Sequence, residues 1–180
     1  MSELTFRVAT EMDAESIAEI VNGAYRPKKG EGGWTHESDL VKGDRTTPDQ
    51  VRTLIKDSSV VVGLSADAIV CCAHVAIEHG AAHIGMLAVS PKLQATGLGK
   101  ALLGYAERYA TEVLGASDMV LIVLRNRPEL IAFYLRRGYE RTGEFQAYPT
   151  DLSVGTPVRD GLELDVLRKR VHPSLQARRP

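Results

Sequence analysis

Apolar positions along the chain follow two rhythms, and the changes of rhythm mark its elements. Residues 4–9 form a short β-like run. Apolar residues then return at Ile17, Ile20, Val21 and Tyr25, the three-and-four spacing of one helix face. Thr10, with Asp13 three residues on, supplies that helix's start. Thr47-Pro48 opens a second, short helix to about Lys56. Residues 58–64 and 68–78 flank Ser65-Ala66-Asp67 and read as a hairpin. A strand over 84–89 ends before Pro91, and Leu98, Ala101, Leu102, Tyr105 and Tyr109 resume helical spacing. Residues 119–124 are an unbroken apolar run, suited to a strand covered on both faces. Pro128 fits the first turn of another helix, with Asn126 or Arg127 as cap and Gly138 just past its end. Two late strands follow over 140–148 and 161–168. The order is β-α-α-β-β-β-α-β-α-β-β, which predicts an α+β fold: a sheet of mixed direction with helices on both faces.

Composition narrows the class. With 180 residues the chain suits one domain with a full core, and 44% hydrophobic with 25% charged residues is ordinary for a soluble globular protein. Lys+Arg 22 against Asp+Glu 23 leaves no basic excess, so nucleic acid is not an expected partner. No leader opens the chain and no apolar run approaches membrane-spanning length, so the expected location is cytoplasmic, away from membranes. A single domain over 1–170 is expected, with a basic tail over 171–180 that frays. The 2 Cys, Cys71 and Cys72, are adjacent; a strand sends neighbours to opposite faces, so they are poorly set to bridge. No CxxC or Cys/His cluster accompanies them, and no metal is expected.

The chemistry begins where the strand ending Leu87-Ala88-Val89 meets the next helix through Gln94-Ala95-Thr96-Gly97-Leu98-Gly99-Lys100. A loop that opens a helix this way aims free backbone N–H groups at one point. The helix dipole adds positive potential there, which suits a phosphate or pyrophosphate. Gly97 and Gly99 carry no Cβ and let an anion approach the backbone. Two nucleotide motifs fail. Gly99-Lys100 is followed by Ala101 and lacks the upstream glycine of the Walker pattern. Only Gly97-Leu98-Gly99 is present where the dinucleotide fingerprint needs three glycines. Gln-x-x-Gly-x-Gly after a strand ending Leu-Ala-Val, and before Ala101-Leu102-Leu103, resembles the acyl-CoA pyrophosphate loop of the GNAT superfamily of N-acetyltransferases.

A second block, Tyr134-Leu135-Arg136-Arg137-Gly138-Tyr139, is similar to the end of that family's later strand–helix unit. The resemblance spans about residues 4–168, with its specific motifs in 84–139. It implies a mostly antiparallel central sheet, acetyl-CoA as cosubstrate, and transfer of an acetyl group to a primary amine by direct attack in a ternary complex. It also implies roles. Leu87, Ala88 and Val89 would border the pantetheine arm, Gln94 through Lys100 (Ala95, Thr96, Gly97, Leu98 and Gly99 between them) would hold the pyrophosphate, and Asn126 would contact CoA. Asn126 stands one residue further from Tyr134 than the family's pattern has it. Tyr134 would be the general acid for the departing thiolate; an ordinary tyrosine stays protonated at neutral pH. His83 stands where the family often has a glutamate, and a histidine there suits a base near neutral pH. Glu78, His79, Glu37 and His36 are rivals for that role. The resemblance also suggests a homodimer.

Residues 26–46 carry no periodic pattern and hold Gly30, Gly32, Gly33 and the only Trp, Trp34. Long loops of this kind in compact domains are usually functional or disordered. In the resembled fold this region walls the acceptor side, so Trp34 and Glu37 are the candidate acceptor contacts, and Glu37 with Asp39 would favour a cationic amine. Two other functions fit the same residues: an acyl-CoA-binding module without catalysis, and a protein or peptide N-acetyltransferase.

Overall fold

The structure, a computed structural model, describes residues 4–28 and 36–171. Its elements are β1 (Leu4–Val8), α1 (Ala14–Tyr25), β2 (Val41–Lys42), α2 (Pro48–Asp57), β3 (Ser59–Ser65), β4 (Ala68–Glu78) and β5 (Ala81–Val89). Then come α3 (Leu98–Glu112), β6 (Asp118–Leu124), α4 (Pro128–Leu135), β7 (Glu140–Ala147), β8 (Thr156–Pro157) and β9 (Glu163–Arg170). Seven strands form one sheet in the order β1-β3-β4-β5-β6-β9-β7. Among the described strands only β5 and β6 run parallel. The fold is the mixed, mostly antiparallel α+β arrangement expected.

Local chemistry explains most of the element boundaries. The Asp13 carboxylate accepts from the Thr10 amide at 2.7 Å and opens the turn that leads into α1. Thr47 and Gln50 cap α2 reciprocally, and Pro48 fills its first turn. Ala66 and Asp67 both take positive φ, +48° and +63°, as a tight hairpin turn requires. Strand β5 begins at Ala81, earlier than the apolar pattern indicates, because it pairs with β4 directly across the turn at His79-Gly80. Strands β2 and β8 pair with each other alone; two residues are too few for any periodicity to show.

The core lies on both faces of the sheet. On one, Leu102, Leu103 and Ala106 of α3 and Ile131 of α4 pack against Ala82, Ile84 and Leu121. On the other, Ile17 and Val21 of α1 and Val51 of α2 pack against Val60, Val62 and Ala88. Cys71 belongs to the first face and Cys72 to the second, and both are free thiols. A smaller cluster of Val41, Leu124, Leu162 and Leu164 ties β2 to the ends of β6 and β9.

Two irregularities open the sheet at its centre. Strands β5 and β6 pair only at Ala82↔Met119 and His83↔Val120, and beyond them they separate. In the same stretch Ala73 of β4 faces two residues of β5, a bulge in which Met86 takes φ +49°. The bulge shifts the alternation, so Ile84 and Leu87 lie on the same face although three residues apart. Non-glycine residues rarely adopt such a φ, and the packing of the Met86 side chain in the second core face holds it there.

Candidate active site

Two cavities open from the split between β5 and β6. The first, about 320 Å³, lies between the end of β5, the loop before α3, and α4. Its wall includes Val89, Gln94, Ala95, Gly97, Gly99, Lys100, Phe133 and Arg137. The loop is shaped by its own side chains. Gln94 Nε2 donates to the Val89 carbonyl at 3.2 Å, and Thr96 Oγ1 donates to the Leu93 carbonyl at 2.6 Å. Ala95 and Gly97 take φ of +63° and +89°. The Gly97 carbonyl accepts from Lys100 and Ala101 and begins α3. The amides of Leu98 and Gly99, in the first turn, have no intrahelical acceptor, a geometry that suits an anion. A Cβ at Gly97 would meet nothing within 4 Å, so the space in front of the loop is open.

Arg137, to which the sequence assigned no role, adds a second cation to the wall that also holds Lys100. Its guanidinium sits 3.4 Å from the Phe133 ring centroid, and Nη1 donates to the Phe133 carbonyl at 2.6 Å. Burial, aided by neighbouring Arg136, pulls its pKa below the usual arginine range. The basic pair after Tyr134 was visible in the sequence; which member turns inward depends on where α4 ends.

The second cavity, about 340 Å³, is lined by Glu37, Arg45, His74, Glu78, His83, Met86, Tyr148 and the open side of β6, among others. Tyr25, Leu87, Leu130 and Tyr134 line both cavities, so the two meet there. Tyr134 is wedged edge-on between Phe133 and Tyr139, with centroids 5.2 Å and 5.9 Å away. Its hydroxyl has no hydrogen-bond partner among the described residues. Burial pushes its pKa well above the usual tyrosine value, against the opposing pull of Arg127 and Arg137, so it keeps its proton.

The other expected residues divide. His83 lines the second cavity, with Nδ1 3.6 Å from a Glu78 carboxylate oxygen. Leu87 and Val89 line the first cavity; Ala88 is buried in the opposite core face, Leu98 is core, and Thr96 folds the loop from outside the wall. Asn126 is exposed in the turn after β6 and lines neither cavity. Its neighbour Arg127 is the buried one: Nη1 donates to the His36 carbonyl at 2.9 Å, and Nε to Glu129 at 2.5 Å. His79 is exposed in the hairpin turn. Trp34, Gly30, Gly32, Gly33 and the tail from 172 onward lie outside the described residues.

Glu37 does face the second cavity, but it is not a free carboxylate. Arg26 Nη1 holds it at 2.6 Å, with side chains only 6% and 9% exposed. Arg26 also reaches the Val154 carbonyl at 3.2 Å, so the pair joins the end of α1 to both loops over the cavity. A cationic acceptor therefore meets a carboxylate already neutralised. His74 was not singled out in the sequence. It lies in β4 and its Nε2 meets Ser58 Oγ at 2.7 Å. Ser58 Oγ in turn donates to the Leu54 carbonyl at 2.7 Å, so Nε2 carries the proton and Nδ1 does not. Burial lowers the His74 pKa and keeps it neutral. Only the strand register that faces His74 toward Gly85 reveals it.

Among the described residues no group of His, Cys, Asp and Glu is placed to hold a metal ion, and no helix is long and apolar enough to cross a membrane. Residues 15–139 match the family model described as the acetyltransferase (GNAT) family. No curated protein matches the chain significantly. Solved structures do. The ribosomal-protein-S18-alanine N-acetyltransferase from Escherichia coli is 15% identical, with a TM-score of 0.71 over 99% of this chain and 100% of that one. YncA from Salmonella typhimurium, solved with its cofactor acetyl-CoA, is 18% identical, with a TM-score of 0.69 over 96% of each. The PaiA N-acetyltransferase from Thermoplasma acidophilum, in complex with coenzyme A, is 15% identical, with a TM-score of 0.66 over 93% of this chain and 99% of that one.

Proposed function

The chain belongs to the acetyltransferase (GNAT) family, and from that premise we propose that it transfers an acetyl group from acetyl-CoA to the primary amine of a small molecule, by direct attack in a ternary complex. The observation that carries this reading is the meeting of two cavities at a tyrosine whose hydroxyl is protonated and unpaired.

In this reading acetyl-CoA occupies the first cavity. The amides of the Gln94–Lys100 loop and the start of α3 face its pyrophosphate, with the charge of Lys100 and Arg137 added. The pantetheine arm lies along Leu87-Ala88-Val89, where β5 is no longer paired with β6, in the manner of an added strand. A backbone amide of that edge polarises the thioester carbonyl. The acceptor occupies the second cavity, on the side of Glu37. His83, whose Nδ1 lies 3.6 Å from a Glu78 carboxylate oxygen, takes the proton of the attacking amine. The C–N bond forms, the C–S bond breaks, and Tyr134 gives its proton to the departing thiolate. Asn126 has no part in this scheme, because its side chain is away from both cavities.

The test is a panel of small amines with acetyl-CoA, read by free thiol release, beside a thermal melt with acetyl-CoA alone. A ligand that binds only the folded state raises the melting temperature. A melting shift with no thiol release for any amine would leave a non-catalytic acyl-CoA-binding protein.

A further inference from the structure

The charges of the second cavity do not balance. Glu37 is consumed by Arg26. Burial, aided by Arg45 itself, lowers the His74 pKa and favours its neutral form. Glu78 stands at the rim, more than half exposed and beside His83, where water screens it. Arg45 lines the same cavity, half-buried, and no described carboxylate lies within ion-pair distance of it. Its guanidinium instead sits 5.7 Å from the centroid of the Tyr25 ring.

Nor is Arg45 a loose surface side chain. The Asn22 side chain on α1 grips the backbone on which it stands. Asn22 Oδ1 accepts from the Arg45 amide at 2.8 Å and the Thr46 amide at 3.1 Å, and Nδ2 donates to the Thr46 carbonyl at 2.9 Å. Thr47 then caps α2. The guanidinium is thus presented from a fixed strut, over a ring that itself borders the junction with Tyr134. A planar, permanently charged fork in a partly desolvated wall fits a carboxylate, which it can bind through two parallel hydrogen bonds.

We infer that the acceptor is a small amino acid, whose carboxylate pairs with Arg45 while its amine reaches the junction beside Tyr134. This rests on the acetyl-transfer reading and replaces the cationic acceptor that Glu37 and Asp39 suggest in the sequence.

The experiment compares each of several free amino acids with its decarboxylated amine and its carboxamide, in turnover and in calorimetric binding to the CoA-saturated protein. The free acids should exceed both partners in kcat/KM by roughly 10–100-fold, the range of one charge-assisted hydrogen-bonded pair. Arg45→Gln should collapse that ratio toward one, and Arg45→Lys should leave it intermediate; an acetyl-CoA melting shift shows that each variant is folded. Turnover of the simple amines equal to that of the acids, or a ratio indifferent to Arg45→Gln, overturns the inference and leaves acetyl transfer standing. Absence of thiol release with every amine, while amino acids bind wild type and not Arg45→Gln, overturns the acetyl-transfer reading and leaves the carboxylate site standing. Absence of amino-acid binding overturns the carboxylate site.

Discussion

The Tyr25 hydroxyl donates to the Leu87 carbonyl over 3.0 Å and fastens the end of α1 to the bulged stretch of β5. Leu87 lies beyond the last β5–β6 pair, so its carbonyl needs a partner that the neighbouring strand does not give. Burial raises the Tyr25 pKa far above its usual value, and the donor keeps its proton. Tyr25→Phe keeps the ring under Arg45 and removes only this bond. Stability should fall by about 1 kcal/mol, seen as a melting shift of a few degrees. Acceptor kcat/KM should fall as well, since the residue borders the junction of the cavities. An unchanged melting temperature would show that the bond adds nothing net.

Tyr134→Phe separates chemistry from binding. The substitution keeps the ring between Phe133 and Tyr139 and removes a hydroxyl with no described partner. Turnover should fall by roughly 10²–10⁴, with the acetyl-CoA Kd close to wild type. Equal turnover, with chemistry shown to limit the rate, would make Tyr134 a core residue only.

Gly97→Glu should abolish the acetyl-CoA melting shift. Its Cβ would enter open space, so packing does not suffer, and the positive φ costs on the order of 1 kcal/mol. What the substitution adds is bulk and negative charge at the proposed pyrophosphate. Calorimetric binding that survives it would place the pyrophosphate elsewhere.

Glu37→Ala would leave the buried Arg26 guanidinium without its carboxylate. Breaking one partner of such a pair costs about 3–5 kcal/mol, on the order of 10 °C in melting temperature for a chain of this size. Glu37→Gln, which keeps the shape and a hydrogen-bond acceptor, should lose less. The same fall in both variants would mean that the charge of Glu37 contributes little, and kinetic effects at this position are to be read against these melts.

The thiols set an alkaline limit. Burial pushes the Cys71 pKa up to about 12, and that of Cys72 rises further. In the unfolded chain both ionise near the ordinary value of about 8.5. Above that pH the unfolded state loses thiol protons that the native state keeps, so ΔG of unfolding falls as pH rises from about 9 toward 12. Native protein at pH 8 should react slowly with a disulfide reagent and show 2 thiols only on denaturation. Fast labelling of the native chain would contradict the burial.

By itself the sequence determined the order of the elements other than the two-residue strands β2 and β8, the helix starts at Asp13, Thr47-Pro48 and Gly97, and the hairpin at Ala66-Asp67. Each follows from contacts within a few residues: caps, turns and the period of apolar positions. It also carried the family resemblance in the Gln94–Lys100 loop and at Tyr134, because both are contiguous strings. The tertiary structure decided what depends on register and distance. The bulge at Met86 and the parting of β5 from β6 come from strand pairing that no local pattern encodes. Pairing brought His74 into the second cavity, and chain crossings joined Glu37 to Arg26 and left Arg45 without a carboxylate among the described residues. It also turned Arg137 inward and Asn126 outward, since a turn of one residue around the start or end of a short helix reverses which side chain is buried. Charges that look alike in a string become different things once burial and pairing are fixed, because water screens an exposed charge and a buried one must find a partner.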